Sequence, residues 1–421
     1  MKADIINERQ YLHDPRPMMT LAVDIEPAPP TAAMEMAIRA AVEHHPLLNC
    51  KAVQSAGGTA YFMTTPEPGY TVYAAELEDE SDWRIVAADV EQSPFEMEQG
   101  ELVRFGLIEG EKRTVLMISL HRIVGDASCL TQIAHDVIAA LNDPGSLEEP
   151  LRYHAAAPIG NVKLPMMTRT MSKMMNKRWA QYGRAMNFDD YLLLCDSYWE
   201  RGADTVEYSF TAEETAKLNA LAKENNAHLG ALVSAALVLS QEESGDAGYA
   251  RGIRDGKPDM ADFEKNAVFA YDLAHSLELS ECAGQIAVAI QQRFAASEEE
   301  RNNQLAFMQS LEPTLVDASY YSAFAGYGDL MAAQARDMFG LVGDRAFNLT
   351  DLGAVEPGGE RFRAVGAHFL PQLTSTAKLS VGMLINGGRL IVAAQYPASE
   401  DFAPQDDIFL DAMARLKDAI A

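Results

Sequence analysis

The segment that most constrains the fold is a strand, a polar loop and a helix that follow one another directly. Residues 114–120 (TVLMISL) are almost entirely apolar, which is typical of a strand buried on both faces of a sheet. The polar loop 121–127 (HRIVGDA) follows, and an amphipathic helix is predicted over 128–141. A rigid strand that ends in an open loop is a common place for functional side chains. The segment therefore predicts an α/β fold with a candidate site at this strand end.

Strand and helix patterns alternate along both halves of the 421-residue chain. Alternating or short apolar runs predict strands at 19–26, 61–63, 70–75, 104–108, 114–120, 205–210, 361–369, 378–384 and 390–395. Helical periodicity predicts helices after an N-cap at Thr31, at 128–141, after a capping box at Thr211 and Glu214, and at 229–240, 277–296, 300–311 and 406–420. Each half is thus a mixture of strands and helices.

Composition excludes several classes of protein. The chain has 34 Lys and Arg against 61 Asp and Glu, a net charge of −27, which disfavours a nucleic-acid partner. The longest nearly apolar run, 229–240, has 12 residues, too few to span a membrane. The first residues lack an apolar signal core. Four widely spaced cysteines predict buried, reduced thiols, so we expect a cytoplasmic protein.

Most catalytic motifs are absent from the sequence. There is no G-x-S-x-G elbow, and residues 252–257 (GIRDGK) are one residue short of a P-loop. No HExxH motif or paired Cys/His set is present, so no metal site is predicted. His44 and His45 are adjacent, but we interpret them as residues at the end of a helix.

Six segments in order resemble elements of nonribosomal-peptide condensation domains and alcohol O-acetyltransferases. They lie at 43–50 (EHHPLLNC), 93–105 (SPFEMEQGELVRF), 119–130 (SLHRIVGDASCL), 266–273 (NAVFAYDL), 348–355 (NLTDLGAV) and 385–397 (INGGRLIVAAQYP). The third falls where the family has its HHxxxDG motif. Each match is modest, but the order and spacing cover nearly the whole chain.

The resemblance implies two lobes, each like a chloramphenicol acetyltransferase monomer, that face one another in a V-shaped pseudo-dimer. It places the first lobe at residues 1–160, an inter-lobe crossover at 161–203 and the second lobe at 204–421. A tunnel between the lobes would admit an acyl thioester of coenzyme A or of a phosphopantetheine arm on one side, and a small-molecule alcohol or amine acceptor on the other. In the family, the second His of HHxxxDG deprotonates the acceptor, and no bound cofactor or metal is needed.

Here the chain departs from the family pattern. Without gaps, HHxxxDG aligns with residues 121–127, so Arg122 occupies the position of the catalytic His and Ala127 that of the Gly. A guanidinium has a pKa above about 12 and cannot act as a general base near neutral pH. Three hypotheses remain: the usual chemistry is lost, the register is shifted by one so that His121 is the base, or Arg122 binds an anionic acceptor.

The resemblance also assigns the neighbouring residues. Asp126, next to Gly125, would be structural and would pair with an arginine of the second lobe, for which Arg254 is the candidate. His121, Arg122 and a group of further residues are expected to line the tunnel, namely Gly125, Asn348, Asp351, Gly353, Ser375 and Thr376.

Residues 163–184 form a basic, methionine-rich segment. It holds six Lys and Arg and no acid, with methionines at helical spacing. It could be a calmodulin-like or membrane-surface amphipathic helix, or a docking face for an acidic carrier protein. It could also be the inter-lobe crossover, with Met packed on a lobe and the basic side chains facing acidic neighbours.

Two functions follow from the sequence. The first is an acyltransferase or condensing enzyme, which would position both substrates in the tunnel. The second is a non-catalytic relative that binds a small molecule, a thioester or a carrier protein there. In either case we expect a monomer. The side chain that faces the tunnel, His121 or Arg122, distinguishes the two.

Overall fold

The structure is a computed structural model, and it describes residues 2–16, 18–75, 83–147, 149–151, 162–200, 202–252, 265–272, 277–356, 358–398 and 404–421. The strands are β1 (Lys2–Asp4), β2 (Met18–Glu26), β3 (Cys50–Gln54), β4 (Ala60–Thr64), β5 (Thr71–Ala75), β6 (Val103–Glu109), β7 (Thr114–His121), β8 (Ala203–Ser209), β9 (Gly245–Arg251), β10 (Lys265–Tyr271), β11 (Arg345–Ala354), β12 (Arg363–Leu370), β13 (Ala377–Asn386) and β14 (Arg389–Pro397). The helices are α1 (Thr31–His44), α2 (Trp83–Gln92), α3 (Ala127–Asn142), α4 (Met166–Tyr182), α5 (Phe188–Trp199), α6 (Ala212–Glu224), α7 (Leu229–Leu239), α8 (Leu279–Gln309), α9 (Pro313–Phe324), α10 (Leu330–Phe339) and α11 (Pro404–Asp418). None of these helices combines the length and apolar character needed to cross a membrane.

Two mixed sheets form the centres of two lobes. The first has the strand order β12-β2-β7-β6-β5, and the second has the order β10-β9-β11-β13-β14-β8. A small third sheet, β1-β4-β3, lies beside the first. The first core includes α1 and α3, and the second includes α7 and α11. The α/β fold with two sheet-based lobes is therefore confirmed.

A third hydrophobic core is built mainly from helices. It contains Met175 and Trp179 of α4, Leu194 of α5, and residues from the end of α8 and from α9 and α10. The crossover predicted over 161–203 thus contributes α4 and α5 to a helical layer, while its first residue and the boundary at 160 lie outside the described residues.

One strand departs from the predicted lobe boundaries. β12, which lies within the predicted second lobe (204–421), pairs antiparallel with β2 in the first sheet. Its register runs from Arg363 opposite Glu26 to Leu370 opposite Thr20. Without β12, the backbone of β2 would form an open sheet edge, and open edges are exposed to wrong pairing. The second half of the chain therefore completes the first sheet.

Local sequence signals are confirmed at some elements and wrong at others. Thr211 and Glu214 make both hydrogen bonds of the capping box that begins α6. Thr31 is wrong as an N-cap: Pro30 occupies that position, and Thr31 is the first helical residue. The helices predicted at 277–296 and 300–311 are a single helix, α8, because no Pro or Gly interrupts the acidic stretch between them. All four cysteines are free and buried, as predicted.

Candidate functional site

The predicted loop lies at the end of β7, where His121 is the last strand residue and lies opposite Met18. Arg122 begins a single 3-10 turn that ends at Val124, and Asp126 is the N-cap residue of α3. The strand is buried at every position. A rigid, buried strand therefore holds the first residues of the loop in place, and the turn gives His121 and Arg122 different surroundings.

The side chain of His121 is fully buried inside the first lobe. Its Nδ1 accepts a hydrogen bond from the backbone N–H of Ile123 at 3.1 Å. The ring packs edge-on against Phe95, with the ring centroids 5.1 Å apart. Because Nδ1 is an acceptor, the proton of the neutral ring is on Nε2, and Nε2 has no hydrogen-bond partner among the described residues.

Burial and, to a lesser extent, the charge of Arg104 lower the pKa of His121 to about 3. The Arg104 guanidinium stacks over the ring of Phe95, 4.2 Å from its centroid. A general base needs a free lone pair within reach of the acceptor proton. The lone pair of His121 is used by Ile123, and the ring is enclosed in one lobe. This geometry favours a structural role for His121 over that of a catalytic base.

Arg122, in contrast, lines a cavity between the lobes. Its guanidinium stacks over the ring of Tyr11, 4.9 Å from the centroid, and Nη2 donates to the Tyr11 hydroxyl oxygen at 3.1 Å. Nη1 lies 3.8 Å from the sulfur of Met19. Arg122, which the ungapped alignment sets at the family's catalytic His position, is thus a cation that is held by an aromatic ring.

The cavity has a volume of about 640 Å³ and walls from both lobes. The first lobe and the N-terminal segment contribute Gln10, Tyr11, Met19 and Arg122. The second half contributes residues of β9, β10, α8, β11 and β13, with the charged side chains Lys265, Glu298, Glu300, Arg301 and Arg345 and the polar side chains Asn266, Asn302, Asn348, Thr350, Thr374 and Ser380. Cations outnumber carboxylates in these walls, although the chain as a whole is strongly acidic.

Asp126 does not line this cavity. Its carboxylate is fully buried and accepts hydrogen bonds from Ser128 Oγ at 2.7 Å and from Cys129 Sγ at 3.4 Å. The end of β9 in the second lobe approaches the same point, because a Cβ added to Gly252 would lie 3.1 Å from the Cβ of Ser128. Asp126 therefore has a structural environment at a junction of the lobes. Its predicted partner Arg254 lies outside the described residues.

The backbone around the loop accommodates the residues that replace the family pattern. Ala127 is the first residue of α3. Asn226 is the one non-glycine residue with a positive φ in the described part of the chain, so Ala127 carries no left-handed strain. Gly125 has an extended backbone, and its N–H donates to the carbonyl oxygen of Arg122 at 3.3 Å.

Asn348 is the predicted tunnel residue of the second lobe that does line the cavity. Its Nδ2 donates to Thr376 Oγ1 at 3.0 Å, and its Oδ1 accepts from Arg345 Nη1 at 3.4 Å. A side chain on Gly248, the neighbour on β9, would collide with Asn348 Oδ1 at 2.1 Å. Glycine at this position leaves the space that the Asn348 amide occupies. Thr376 supports Asn348 from behind the wall.

The remaining predicted tunnel residues lie outside the cavity wall. The Asp351 carboxylate accepts from the Tyr249 hydroxyl at 2.6 Å and from the backbone N–H of Gly353 at 2.8 Å. Gly353 itself has φ +69° next to an irregularity in β11, which favours glycine. Ser375 Oγ donates to the carbonyl oxygen of Leu341 and accepts from Arg16. The side chains of Asp351 and Ser375 therefore bond to residues near the cavity and do not line it.

Sequence reasoning missed most of the wall. Tyr11, Lys265 and Arg345 come from three distant parts of the chain, and none of them lies in a motif that predicts a site. Asn266 lies in the family-like segment 266–273, and this resemblance is the sequence signal for β10. The wall forms only once the sheets are assembled.

No group of three or more His, Cys, Asp or Glu side chains in the described ranges is placed to hold a metal ion. His45, predicted to be an ordinary residue at a helix end, is buried at the C-cap of α1, and its Nε2 lies 2.7 Å from a carboxylate oxygen of Asp136 on α3. This pair joins the two helices that pack on the first sheet.

Comparison with known proteins supports the resemblance. Residues 17–147 match the model of the Condensation domain family. No curated protein gives a significant sequence match. The family match thus covers the part of the first lobe from β2 to α3, including β7 and the candidate loop.

Solved structures share the fold over the whole chain. The epimerization domain from the third module of tyrocidine synthetase B is 13% identical, with a TM-score of 0.61 and coverage of 100% of this chain and 98% of that one. Polyketide synthase associated protein 5 from Mycobacterium tuberculosis is 14% identical, with a TM-score of 0.60 and coverage of 99% and 97%. Trichothecene 15-O-acetyltransferase from Fusarium sporotrichioides is 12% identical, with a TM-score of 0.61 and coverage of 99% and 94%. The chain therefore has the fold of condensation domains and related acyltransferases, which is the fold that the resemblance implies.

Proposed function

We propose that this chain binds an anionic small molecule in the inter-lobe cavity and has lost acyl transfer by the imidazole route. The observation that carries the proposal is that Arg122 lines the inter-lobe cavity, and the ungapped alignment pairs this residue with the family's base. A guanidinium stays protonated and offers five donors to a carboxylate or phosphate. The site is suited to holding an anion and not to removing a proton.

A second cation in the wall supports the same ligand class. The Arg345 guanidinium is half-buried, and its hydrogen-bonding contacts are neutral oxygens, Asn348 Oδ1 at 3.4 Å and Thr376 Oγ1 at 3.5 Å. No described carboxylate lies within 4.0 Å of it. Burial lowers the pKa of Arg345, and the more distant charge of Asp246 acts in the opposite direction. An anionic ligand would supply the direct counter-charge that the described residues leave out.

Acyl transfer is the second candidate, and the fold favours it. One structural relative is named as an O-acetyltransferase, and another is a condensation domain. On this proposal, a thioester of coenzyme A or of a carrier protein's phosphopantetheine arm donates the acyl group. Arg122 would then orient an alcohol or amine acceptor that carries its own anionic group and supplies its own base. Structural relatives include a four-domain nonribosomal peptide synthetase, which makes a carrier-protein donor worth testing.

Binding and turnover separate these candidates. Calorimetry with coenzyme A, acetyl-coenzyme A and citrate tests binding, and thiol release from acetyl-coenzyme A with a panel of alcohols and amines tests transfer. For a bound anion, Arg122→Gln and Arg345→Gln should each weaken binding about 10–100-fold, the usual effect of losing a charged hydrogen bond. Arg389→Gln, an exposed arginine of β14 far from the wall, is the matched control. Equal binding by all variants would refute the proposal.

The missing base can be restored by substitution. Arg122→His places an imidazole with an ordinary pKa of about 6.5 at the cavity wall, and general-base catalysis is worth roughly 10²–10⁴-fold. We expect wild type to release little thiol and Arg122→His to release more, with Arg122→His/Ala127→Gly as the fuller restoration of the motif. Robust wild-type turnover that is abolished by His121→Ala would instead support His121 as the base.

A further inference from the structure

The surface that the cavity does not explain is the exposed face of α4. From Lys163 to Arg184 the chain carries six of its 34 Lys and Arg residues and none of its 61 Asp and Glu residues. We call residues 163–184 the basic methionine segment. Such a concentration of positive charge is unusual in a chain with a net charge of −27.

One face of α4 is fixed to the protein. Met175 and Trp179 belong to the helical core, and Trp179 Nε1 donates to Thr314 Oγ1 at 2.8 Å. Asn176 Nδ2 donates to the carbonyl oxygen of Ser310 at 2.9 Å. Because this face is anchored by packing and hydrogen bonds, the opposite face has a fixed orientation towards solvent.

The opposite face exposes large apolar side chains. Those with the greatest exposed fractions are Met166 (79%), Met167 (86%), Met174 (53%) and Tyr182 (80%). Leu330, which is also exposed, lies one helical turn before Gln334 on α10, and Gln334 contacts the sulfur of Met171. Adjacent exposed apolar groups of this size mark an interaction surface more often than isolated ones do.

Basic side chains run along the same exposed face. Arg169, Lys173 and Lys177 follow one another at four-residue spacing, so they form one stripe on the helix. Within the described part of the chain, no carboxylate lies within 4.0 Å of these three, of Lys163 or of Arg178. The acidic neighbours expected for an inter-lobe crossover are therefore absent from this stripe, and like charges repel along it.

We propose that the basic methionine segment binds the surface of an anionic lipid membrane, with α4 parallel to the membrane plane. A bilayer interface supplies both partners that this face lacks: negatively charged headgroups for the lysines and arginines, and a hydrocarbon boundary for the methionines. Tyrosine is also favoured at that boundary. An acidic protein would satisfy the charges, but it would need an apolar surface to match three exposed methionines and a tyrosine.

The acidic remainder of the chain sets the orientation. Charges further from the membrane than about 8 Å are largely screened at physiological ionic strength. Only the face that touches the membrane needs to be positive, and the segment combines six Lys and Arg residues with no Asp or Glu. The opposite charge elsewhere would prevent other orientations from binding.

The experiment measures co-sedimentation of the full chain with sucrose-loaded vesicles. One set contains phosphatidylcholine alone, and the other contains about 30 mol% phosphatidylserine, a composition that gives a negative surface potential. We expect binding to the anionic vesicles that weakens with added salt, and little binding to the neutral ones. No binding to either set, or equal binding to both, would overturn the proposal.

Two groups of variants test the two parts of the surface. Arg169→Gln/Lys173→Gln/Lys177→Gln should lower the partition coefficient about a hundredfold, since each basic residue near the surface contributes roughly a fivefold effect. Met167→Ser/Met174→Ser should lower it while the charge stays constant. The charge-matched control is Lys217→Gln/Lys223→Gln/Arg415→Gln, on α6 and α11, and thermal melting verifies that every variant is folded.

A soluble competitor distinguishes the other class of partner. Polyglutamate carries dense carboxylates without a hydrocarbon boundary. If it binds the segment and the anionic vesicles do not, the surface belongs to an acidic protein and the membrane proposal is wrong. Unchanged vesicle binding by the triple variant would likewise contradict it.

Discussion

His121 and His368 are two histidines of the same sheet with opposite electrostatics. His121, at the end of β7, has an aromatic ring and the Arg104 guanidinium as neighbours, and its pKa is lowered to about 3. His368, on β12, lies 2.9 Å from Glu207 Oε2 and 3.8 Å from Asp24 Oδ2. Burial opposes its protonation, but the hydrogen bonds and charges of the two carboxylates raise the pKa of His368 to about 9.

The comparison shows that partners rather than burial decide the charge of an enclosed imidazole. Both rings lose water, and that loss alone favours the neutral form in each case. Only His368 has counter-charges, and they come from both lobes: Asp24 lies on β2 of the first sheet and Glu207 on β8 of the second. At neutral pH the first ring is a neutral part of one lobe, and the second is a cation that joins the two.

The largest expected effect tests the surroundings of His121. Arg104 is buried, donates to the carbonyl oxygens of Val90, Ser93 and Pro94, and pairs with Glu101 at 2.7 Å. Arg104→Met leaves a buried carboxylate and three carbonyl groups without a donor. We expect the free energy of unfolding to fall by about 3–5 kcal/mol, measured by urea denaturation at pH 7. A loss below 1 kcal/mol would show that this interior is not held by the guanidinium.

The next largest effect on stability is expected for His368→Gln. The folded-state pKa of His368 is about 9, above its unfolded value of about 6.5. Its protonation therefore adds stability that is complete below about pH 6.5 and is lost as the pH rises through about 9. This contribution amounts to about 3 kcal/mol. Wild type should lose that amount relative to His368→Gln between pH 6 and pH 9.5, and parallel unfolding curves would contradict the inter-lobe cation.

His121→Asn tests a pH dependence of the opposite direction to that of His368. The folded-state pKa of His121 is about 3, below the unfolded value, so its contribution is complete above about pH 6.5 and is lost as the pH falls. The slope is about 1.4 kcal/mol per pH unit for one proton, and this slope should be absent from the variant between pH 6 and pH 4. Asparagine can still accept from the Ile123 N–H. His135→Asn, an exposed position on α3, controls for loss of an imidazole.

Arg113→Gln should give the smallest effect. Arg113 is partly exposed and lies 3.3 Å from Asp24 Oδ2, so its ion pair is screened by solvent. We expect a loss of about 0–1 kcal/mol, measured as for Arg104→Met. A loss equal to that of Arg104→Met would show that solvent exposure does not determine how much these two ion pairs contribute to stability.

Local signals explain which parts of the fold could be predicted. The capping box at Thr211 and the apolar run of β7 act within a few residues, so the sequence alone identifies them. The addition of β12 to the first sheet depends on which edge is open after folding. No pattern within residues 363–370 specifies that edge. The same limit applies to α8, where the acidic stretch near Glu300 suggested a break that helix formation does not require.

In the candidate site, too, local sequence predicts some features, and others depend on the assembled fold. The motif at residues 121–127 identifies Arg122 and His121 as the candidates, because neighbouring residues are enough to propose an alignment. The sequence does not predict the orientation of the Arg122 side chain, because this side chain stacks on Tyr11, in an N-terminal segment more than a hundred residues away. Lys265 and Arg345 reach the wall only because β10, β9 and β11 are neighbours in the second sheet.

The exchange of β12 has a practical consequence for dissecting this molecule. A fragment that ends after the first lobe would carry β2 as an unprotected edge, and the complementary fragment would carry a strand without a sheet. We expect that neither fragment folds stably alone. When the two fragments are expressed together, we expect them to reassemble as a split protein through the pairing of β12 with β2.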